Sequence, residues 1–389
     1  MIAEPGDDLE LEKSADYRTF TLSGSHYEMG RQWGMIALGQ ETEHVKAEEA
    51  AELAQLLGVS VEQLATLSLD DEPARQELGE EETLSPSQLS FGQDCLQVVC
   101  NFHPPLMDEF EGWADALGTS MDSVLSMLSS GLEGGSRSSS SFAWRSEASV
   151  IVGRNHDSLY LARTRHLIHA RPEIYYATVG MNDGLLGGRQ EGVNERGLFV
   201  SVHRVVGKPA AKVRPGVISH LLPRILLETC ATAGEAVMLA REIPHLMSFA
   251  YLIADQQGMF VVEAHPESVR VREAEDGYIA VTNHYLHPDF QSLMQSTIQE
   301  NSEQRHSRIV SALEEADEDS DPWETAKAIL CDHETPICGH TDGLATLWSM
   351  VADLPSQRLA YSLGAPCRNE YQEIPWPGTT LDVPQVNEG

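Results

Sequence analysis

Ser138-Ser139-Ser140-Ser141-Phe142 opens a stretch in which two short strand-like runs, 141–145 and 149–152, are separated only by Ser146-Glu147-Ala148. That spacing predicts an antiparallel hairpin. Antiparallel pairing carries the end of the second run, Gly153-Arg154-Asn155-His156-Asp157, back beside the start of the first. A row of hydroxyls and a carboxylate then share one end of a rigid element. A serine run alone reads as a polar loop; a serine run facing an acid across a hairpin reads as a candidate nucleophile site.

Around the hairpin the chain alternates helical and extended periods. A strand is expected at 17–22, and Gly24-Ser25-His26-Tyr27-Glu28-Met29-Gly30 turns into a helix carrying Arg31-Gln32-Trp33-Gly34. Helical spacing continues over 47–57 and 61–67, and the acidic stretch 70–83 reads as a solvated loop. A helix at 106–117 would turn Glu109, Glu111 and Asp115 away from Leu106, Phe110 and Trp113. Beyond the hairpin, strands are expected at 174–179, 197–206, 248–254, 259–264, 269–273, 278–282, 346–350 and 358–362. Helices are expected at 216–230, at 233–242 behind a Thr232 cap, at 302–315 and at 323–330, with an acidic linker at 314–321. The pattern is α+β, antiparallel strands flanked by helices.

The chain of 389 residues is long enough to bury a large core, and its 41% apolar and 22% charged residues are a globular balance. Against 26 Lys and Arg stand 60 Asp and Glu, a net charge of −34, and no basic run occurs. That argues against nucleic-acid binding and against anionic membrane surfaces. No window reaches 18 uninterrupted apolar residues, so no membrane span is expected. The start Met1-Ile2-Ala3-Glu4-Pro5 lacks a basic, apolar leader, and six scattered cysteines read as reduced thiols, so a cytoplasmic location is the expectation.

Several motifs together resemble one family. Gly153-Arg154-Asn155-His156-Asp157 is similar to its Gly-[Arg/Gln]-Asn-x-Asp element, and Gly192-Val193-Asn194-Glu195-Arg196-Gly197-Leu198 to its strand entry. The segments Gly24 to Gln32, Glu109 to Ala114, Val281-Thr282-Asn283-His284-Tyr285, Ser307-Arg308, Thr346 to Ser349 and Gly364-Ala365-Pro366-Cys367 follow in the family's order. The chain thereby resembles the acyl-CoA:6-aminopenicillanic acid acyltransferase (isopenicillin N acyltransferase-like) family of N-terminal-nucleophile hydrolases. The resemblance implies a four-layer αββα sandwich of antiparallel sheets. It implies a mostly helical, propeptide-like segment 1–138 packed on a nucleophile-bearing core 139–389. The family's spacing from Asp157 selects Ser139 as nucleophile, exposed as a new N-terminus by self-cleavage, with the freed amine as general base. Asn283 would supply the oxyanion donor. Asp157 would hold the amine or orient the nucleophile, and Arg308 would organise that carboxylate. Ser307, Asn155 and Arg154 would support it. The expected partner is a small N-acyl compound, with acyl-CoA or an amine as the other reactant, and no cofactor; a homo-oligomer is left open.

Two positions depart from the family. Its nucleophile is normally cysteine and the residue before it glycine, where this chain has Ser139 and Ser138. A natural serine nucleophile, an engineered substitution, and a catalytically silent relative that binds an acylated metabolite all remain open. The stretch Cys331-Asp332-His333…Cys338-Gly339-His340 carries ligand-type residues, but its spacing matches no standard zinc site and the resemblance implies no metal. A Cys338/His340 pair would be the alternative catalytic centre. Cys367 reads as a packed residue.

Overall fold

Adjacent residues along the central strands are apolar and buried in pairs, which is the mark of sheets covered on both faces. The computed structural model describes residues 16–41, 85–129, 138–159, 164–182, 186–294, 299–317, 320–340 and 344–379. The expected helices at 47–57 and 61–67 and the loop at 70–83 lie outside the described residues.

Fourteen strands are described: β1 (Asp16–Gly24), β2 (Ser138–Arg145), β3 (Val150–Leu159), β4 (Thr164–Pro172), β5 (Thr178–Asn182), β6 (Glu191–Asn194), β7 (Phe199–Arg204), β8 (Phe249–Ala254), β9 (Met259–His265), β10 (Ser268–Glu273), β11 (Tyr278–Val281), β12 (Leu344–Asp353), β13 (Arg358–Ser362) and β14 (Tyr371–Glu373). One sheet runs β1-β4-β5-β6-β7-β8-β9-β10, the other β11-β2-β3-β12-β13-β14. Every pairing is antiparallel except β1 on β4.

Neighbouring residues divide between layers as a period of two requires. Leu167, Phe199 and Val261 of the first sheet meet Ala143, Val152 and Met350 of the second in a core between the sheets. Their neighbours Ile168, Val200 and Val262 face the opposite way, onto α1 (His26–Glu41), α2 (Pro86–Phe102), α3 (Pro105–Leu117), α4 (Met121–Ser129), α5 (Leu221–Thr229) and α6 (Ala233–Glu242). Phe142, Ile151 and Val351 face out from the second sheet onto α7 (Gln299–Glu314) and α8 (Pro322–Leu330). The architecture is therefore the four-layer αββα sandwich.

Residues 16–41 and 85–129 contribute directly to this body. β1 pairs along its length with β4, and α1 crosses α3 with backbone touching backbone. A Cβ on Gly30 would collide with the Glu109 carbonyl, and one on Gly112 with that of Tyr27. This crossing corrects one expectation. Glu111 and Asp115 are exposed, but Glu109 is 1% exposed and accepts a hydrogen bond from Arg224 at 2.8 Å. A partner on α5, invisible to helical periodicity, draws it inside.

The strand expected at 174–179 begins only at Thr178, because Tyr175 leaves the sheet to pack edge-on against His26 and His103. β4 went unread, since Arg165, His166 and His169 mask a strand that is nonetheless buried. α2 also went unread, although Ser85 and Gln88 form a capping box at its start. Among the described residues no helix is long and apolar enough to cross a membrane.

Candidate active site

The hairpin forms as expected, with Ser138 opposite Asp157, Ser139 opposite His156 and Ser140 opposite Asn155. Alternation then splits its polar residues between two faces. Ser139, Ser141, Arg154 and His156 point into the layer between the sheets. Ser138, Ser140, Asn155 and Asp157 point towards α7 and α8. Ser139 is 0% exposed.

Between the sheets, β7 supplies the partner of Ser139. Phe199 and Val205 join the inter-sheet core, so Ser201 and His203 face the same way. Nδ1 of His203 lies 2.8 Å from Ser139 Oγ. Nε2 of the same ring faces Arg154 Nη1 at 3.0 Å and Ser201 Oγ at 3.1 Å. A guanidinium can only donate, so Nε2 is the accepting nitrogen and Nδ1 carries the proton. Burial first, then Arg154 and Arg305, hold the imidazole well below its usual range, so the ring is neutral. His203 thus donates to Ser139 Oγ and has no lone pair left with which to deprotonate it.

On the helix face a second guanidinium converges. Arg305 Nη1 donates to Ser139 O at 2.8 Å and to Ser140 Oγ at 2.7 Å, and Nη2 donates to Asn283 Oδ1 at 2.9 Å. Asn301 Oδ1 fixes its Nε at 2.8 Å. Burial lowers Arg305 to about 10 and Asp157 opposes the shift, so it is a cation at neutral pH. Asn283 brackets the nucleophile: its Oδ1 accepts from the Ser139 backbone N–H at 2.8 Å, and its Nδ2 lies 3.3 Å from Ser139 Oγ. The amide orientation is set by donation from Nδ2 to Arg204 O at 3.0 Å. Ser302 Oγ accepts from the Asn283 backbone at 2.7 Å and holds the residue in place.

Asp157 accepts from Thr346 Oγ1 at 2.6 Å. Burial raises its carboxyl to about 6, while Arg305, Thr346, Arg154 and Ser138 pull it down. It lies on the other face from the Ser139 side chain, beside Arg305, the guanidinium that also donates to Ser139 O. Arg154 donates from Nε to Glu191 at 2.8 Å and stands over His156, itself stacked on Trp348 with centroids 3.8 Å apart. Asn155 ties the hairpin to the outer layer through Leu330 O at 2.8 Å and Ile337 O at 2.9 Å.

Ser139, Asp157, Asn283 and Arg154 therefore converge, whereas Asn155 turns to the outer layer and Arg308 and Ser307 lie apart. Arg308 is one-third exposed and pairs with Asp332 at 2.8 Å, and Ser307 is exposed. The buried face of α7 runs through Ser302, Arg305, Ile309 and Leu313, at three- and four-residue spacing. Ser307 lies across the helix from that face and Arg308 at its flank. The guanidinium beside the Asp157 carboxylate is that of Arg305. Helical spacing from Ile309 and Leu313 would have singled it out, and strand alternation through Phe199 would have singled out His203.

The sequence model of the family described as acyl-coenzyme A:6-aminopenicillanic acid acyl-transferase matches residues 144–368, more than half of the chain. That interval contains Gly153 to Asp157, Asn283 and Arg305, and begins after Ser139. No curated protein matches the sequence. Among solved structures, an N-acylethanolamine-hydrolyzing acid amidase orthologue from Caenorhabditis elegans is similar at 15% identity and a TM-score of 0.43, over 61% of this chain and 100% of that one. A variant of conjugated bile acid hydrolase from Clostridium perfringens is similar at 15% identity and 0.42, over 64% and 100%. Penicillin V acylase from Agrobacterium tumefaciens is similar at 14% identity and 0.42, over 58% and 82%. On the strength of the family match alone, this chain belongs to the acyl-coenzyme A:6-aminopenicillanic acid acyl-transferase family.

Proposed function

We propose that the protein is an amide hydrolase or acyltransferase that works through an ester on Ser139, after releasing the Ser139 amine by cleaving its own chain. The observation that carries this is the Arg154 Nη1 contact on His203 Nε2 at 3.0 Å, which leaves Nδ1 to donate to Ser139 Oγ. The base must then come from elsewhere, and the α-nitrogen of Ser139 belongs to the same residue as the hydroxyl. In the intact chain that nitrogen is an amide and has no basic lone pair.

Cleavage supplies one. Ser139 Oγ attacks the Ser138 carbonyl, the C–N bond breaks, and the hydroxyl proton passes to the departing nitrogen. Water then hydrolyses the ester to leave residues 1–138 and 139–389 as two chains. The freed α-amine, with a pKa near ~8, sits where it takes the Oγ proton in each later turnover. Attack on a substrate amide follows, and Asn283 Nδ2 donates to the oxyanion. The amine product leaves with the proton, and water or a second amine resolves the acyl ester.

The substrate class follows from the chemistry: a small N-acyl compound, with acyl-CoA as an alternative donor. The six cysteines are free, in keeping with a reducing, cytoplasmic setting. The test is to incubate the protein with a panel of N-acyl amines and thioesters and to quench in acid. An acyl mass on the fragment beginning at Ser139, removed by hydroxylamine, is the expected result.

A second reading is a binding protein on the same scaffold. The complete burial of Ser139 and the serine at a position where the family has cysteine favour it. It predicts thermal stabilisation by acylated ligands that survives Ser139→Ala, with no product from either protein.

A further inference from the structure

On the far side of Asp157 from the nucleophile, four soft donors converge. Cys338 and His340 lie in the loop after α8, His333 lies earlier in that loop, and Cys367 follows β13. One ligand atom from each falls within 4.8 Å of the other three. Cys331, the nearest cysteine in sequence, is not among them. Sγ of Cys338 lies 3.7 Å from Sγ of Cys367, and His340 Nε2 lies 3.3 Å from the first and 3.1 Å from the second. Donors tetrahedrally bound to zinc, at about 2.3 Å for sulfur and 2.0–2.1 Å for nitrogen, stand roughly 3.3–3.8 Å apart. Two of the three edges fall in that range and the third, at 3.1 Å, is slightly shorter.

We propose that His333, Cys338, His340 and Cys367 form a Cys2His2 site for one tetrahedral, thiophilic divalent cation, zinc being the best fit. The proposal departs from the expectation of no metal, which rested on the spacing of residues 331–340 and on the family resemblance, because Cys367 joins the cluster from a distant strand end.

The loop is held ready for such an ion. Asp332 O accepts from the Cys338 backbone at 3.0 Å, Asp332 is anchored by Arg308 at 2.8 Å, and Ile337 O is held by Asn155 at 2.9 Å. This is the work Arg308 does in the structure. These bonds fix the backbone that carries Cys338 and His340. Binding the dication would displace the thiol protons to solvent.

The site also reaches the active centre. The Gly339 backbone donates to Thr346 Oγ1 at 3.0 Å, and the same hydroxyl donates to Asp157 at 2.6 Å. An ion at Cys338 and His340 would clamp the residue between them and so position Asp157.

The test is to strip the protein with a chelator under reducing conditions, add zinc chloride or cobalt chloride, remove excess ion, and measure metal per chain by mass spectrometry. One equivalent of zinc is expected, with a higher melting temperature than the stripped protein. Cobalt should give the intense visible bands of a tetrahedral site and thiolate charge transfer in the near ultraviolet. Cys367→Ser, at an exposed position, and His340→Gln should lose stoichiometric retention and the zinc-dependent rise in melting temperature. Ser139→Ala should keep both, which separates this result from the fate of the catalytic proposal. Retention by the ligand variants, octahedral cobalt spectra, a Cys338–Cys367 disulfide that persists in reductant, or no retained ion in the unmodified protein would each overturn the assignment.

Discussion

Two buried polar clusters, one beneath the helices that cover the first sheet and one around the β2–β3 hairpin of the second, differ in how their charges balance. Under the helical layer, Arg224 stands between Glu109 and Glu228, and Glu228 also takes His26 at 3.0 Å and His103 at 2.8 Å. Burial works against both ions, yet each partner more than reverses it. Glu228 is held well below its usual range and Arg224 above its own. Around the β2–β3 hairpin, on both faces of the second sheet, the outcome is the reverse. Burial pushes Asp157 and Glu191 each up to about 6, and it lowers Arg154 and Arg305 despite the neighbouring carboxylates. The first cluster is a satisfied structural clasp joining α1, α3 and α5. The second leaves burial unrelieved around Ser139, the condition in which pKa values move towards neutrality.

Substitutions should separate the two clusters. Ser139→Ala removes the nucleophile and should abolish cleavage and turnover while leaving the melting temperature nearly unchanged. Arg224→Ala should do the opposite. It leaves Glu109 and Glu228 buried without their cation, a loss of roughly 3–5 kcal/mol and on the order of 10 °C in melting temperature. A mild effect of Arg224→Ala with a large effect of Ser139→Ala on stability would dissolve the contrast. Asn283→Ala deletes the one side-chain amide aimed at the oxyanion and should lower kcat by about 10²–10³-fold. An unchanged kcat would remove Asn283 from the chemistry.

Acid sharpens the comparison further. Burial holds His156 and His203 well below 6.5, His166, His169, His245, His284 and His306 at about 4, and His220 at about 3. Each takes up its proton at higher pH when unfolded. Their stabilisation is therefore complete above about pH 6.5 and is lost as pH falls towards 4. Asp157 and Glu191 act with the opposite sign, because the folded carboxyls keep protons that the unfolded ones release between about pH 4 and 6. Among the described residues, eight depressed imidazoles outweigh two raised carboxyls. The urea midpoint should rise from pH 4 to 6.5, and a flat or falling profile would contradict the burial account. The activity limb at about pH 6 should follow Asp157 and its Thr346 contact.

The smallest effect belongs to the helix crossing that places Glu109. Gly30→Ala drives a methyl into the Glu109 carbonyl and should cost about 1–3 kcal/mol without changing kcat.

What the sequence disclosed follows from how local each signal is. The hairpin was legible because Ser138 and Asp157 are joined by a short turn, so sequence distance and spatial distance agree. Asn283 was legible as a polar residue directly after a strand. Arg305 was displaced by three residues to Arg308 because a dipeptide was matched instead of a helix face. His203 was hidden in a strand whose polar positions, 201 and 203, looked like surface. The Glu109–Arg224 pair and the Cys367 contribution to the thiol cluster depend on elements far apart in the chain, and no local period encodes them.

The account turns on Ser139 as a nucleophile whose own amine becomes the base, and intact-mass analysis of the freshly purified protein tests it most directly. The prediction is two chains, residues 1–138 and 139–389, from the unmodified sequence and a single uncut chain from Ser139→Ala. Full-length chain alone in the unmodified protein, accompanied by amidase activity that Ser139→Ala retains, would contradict it.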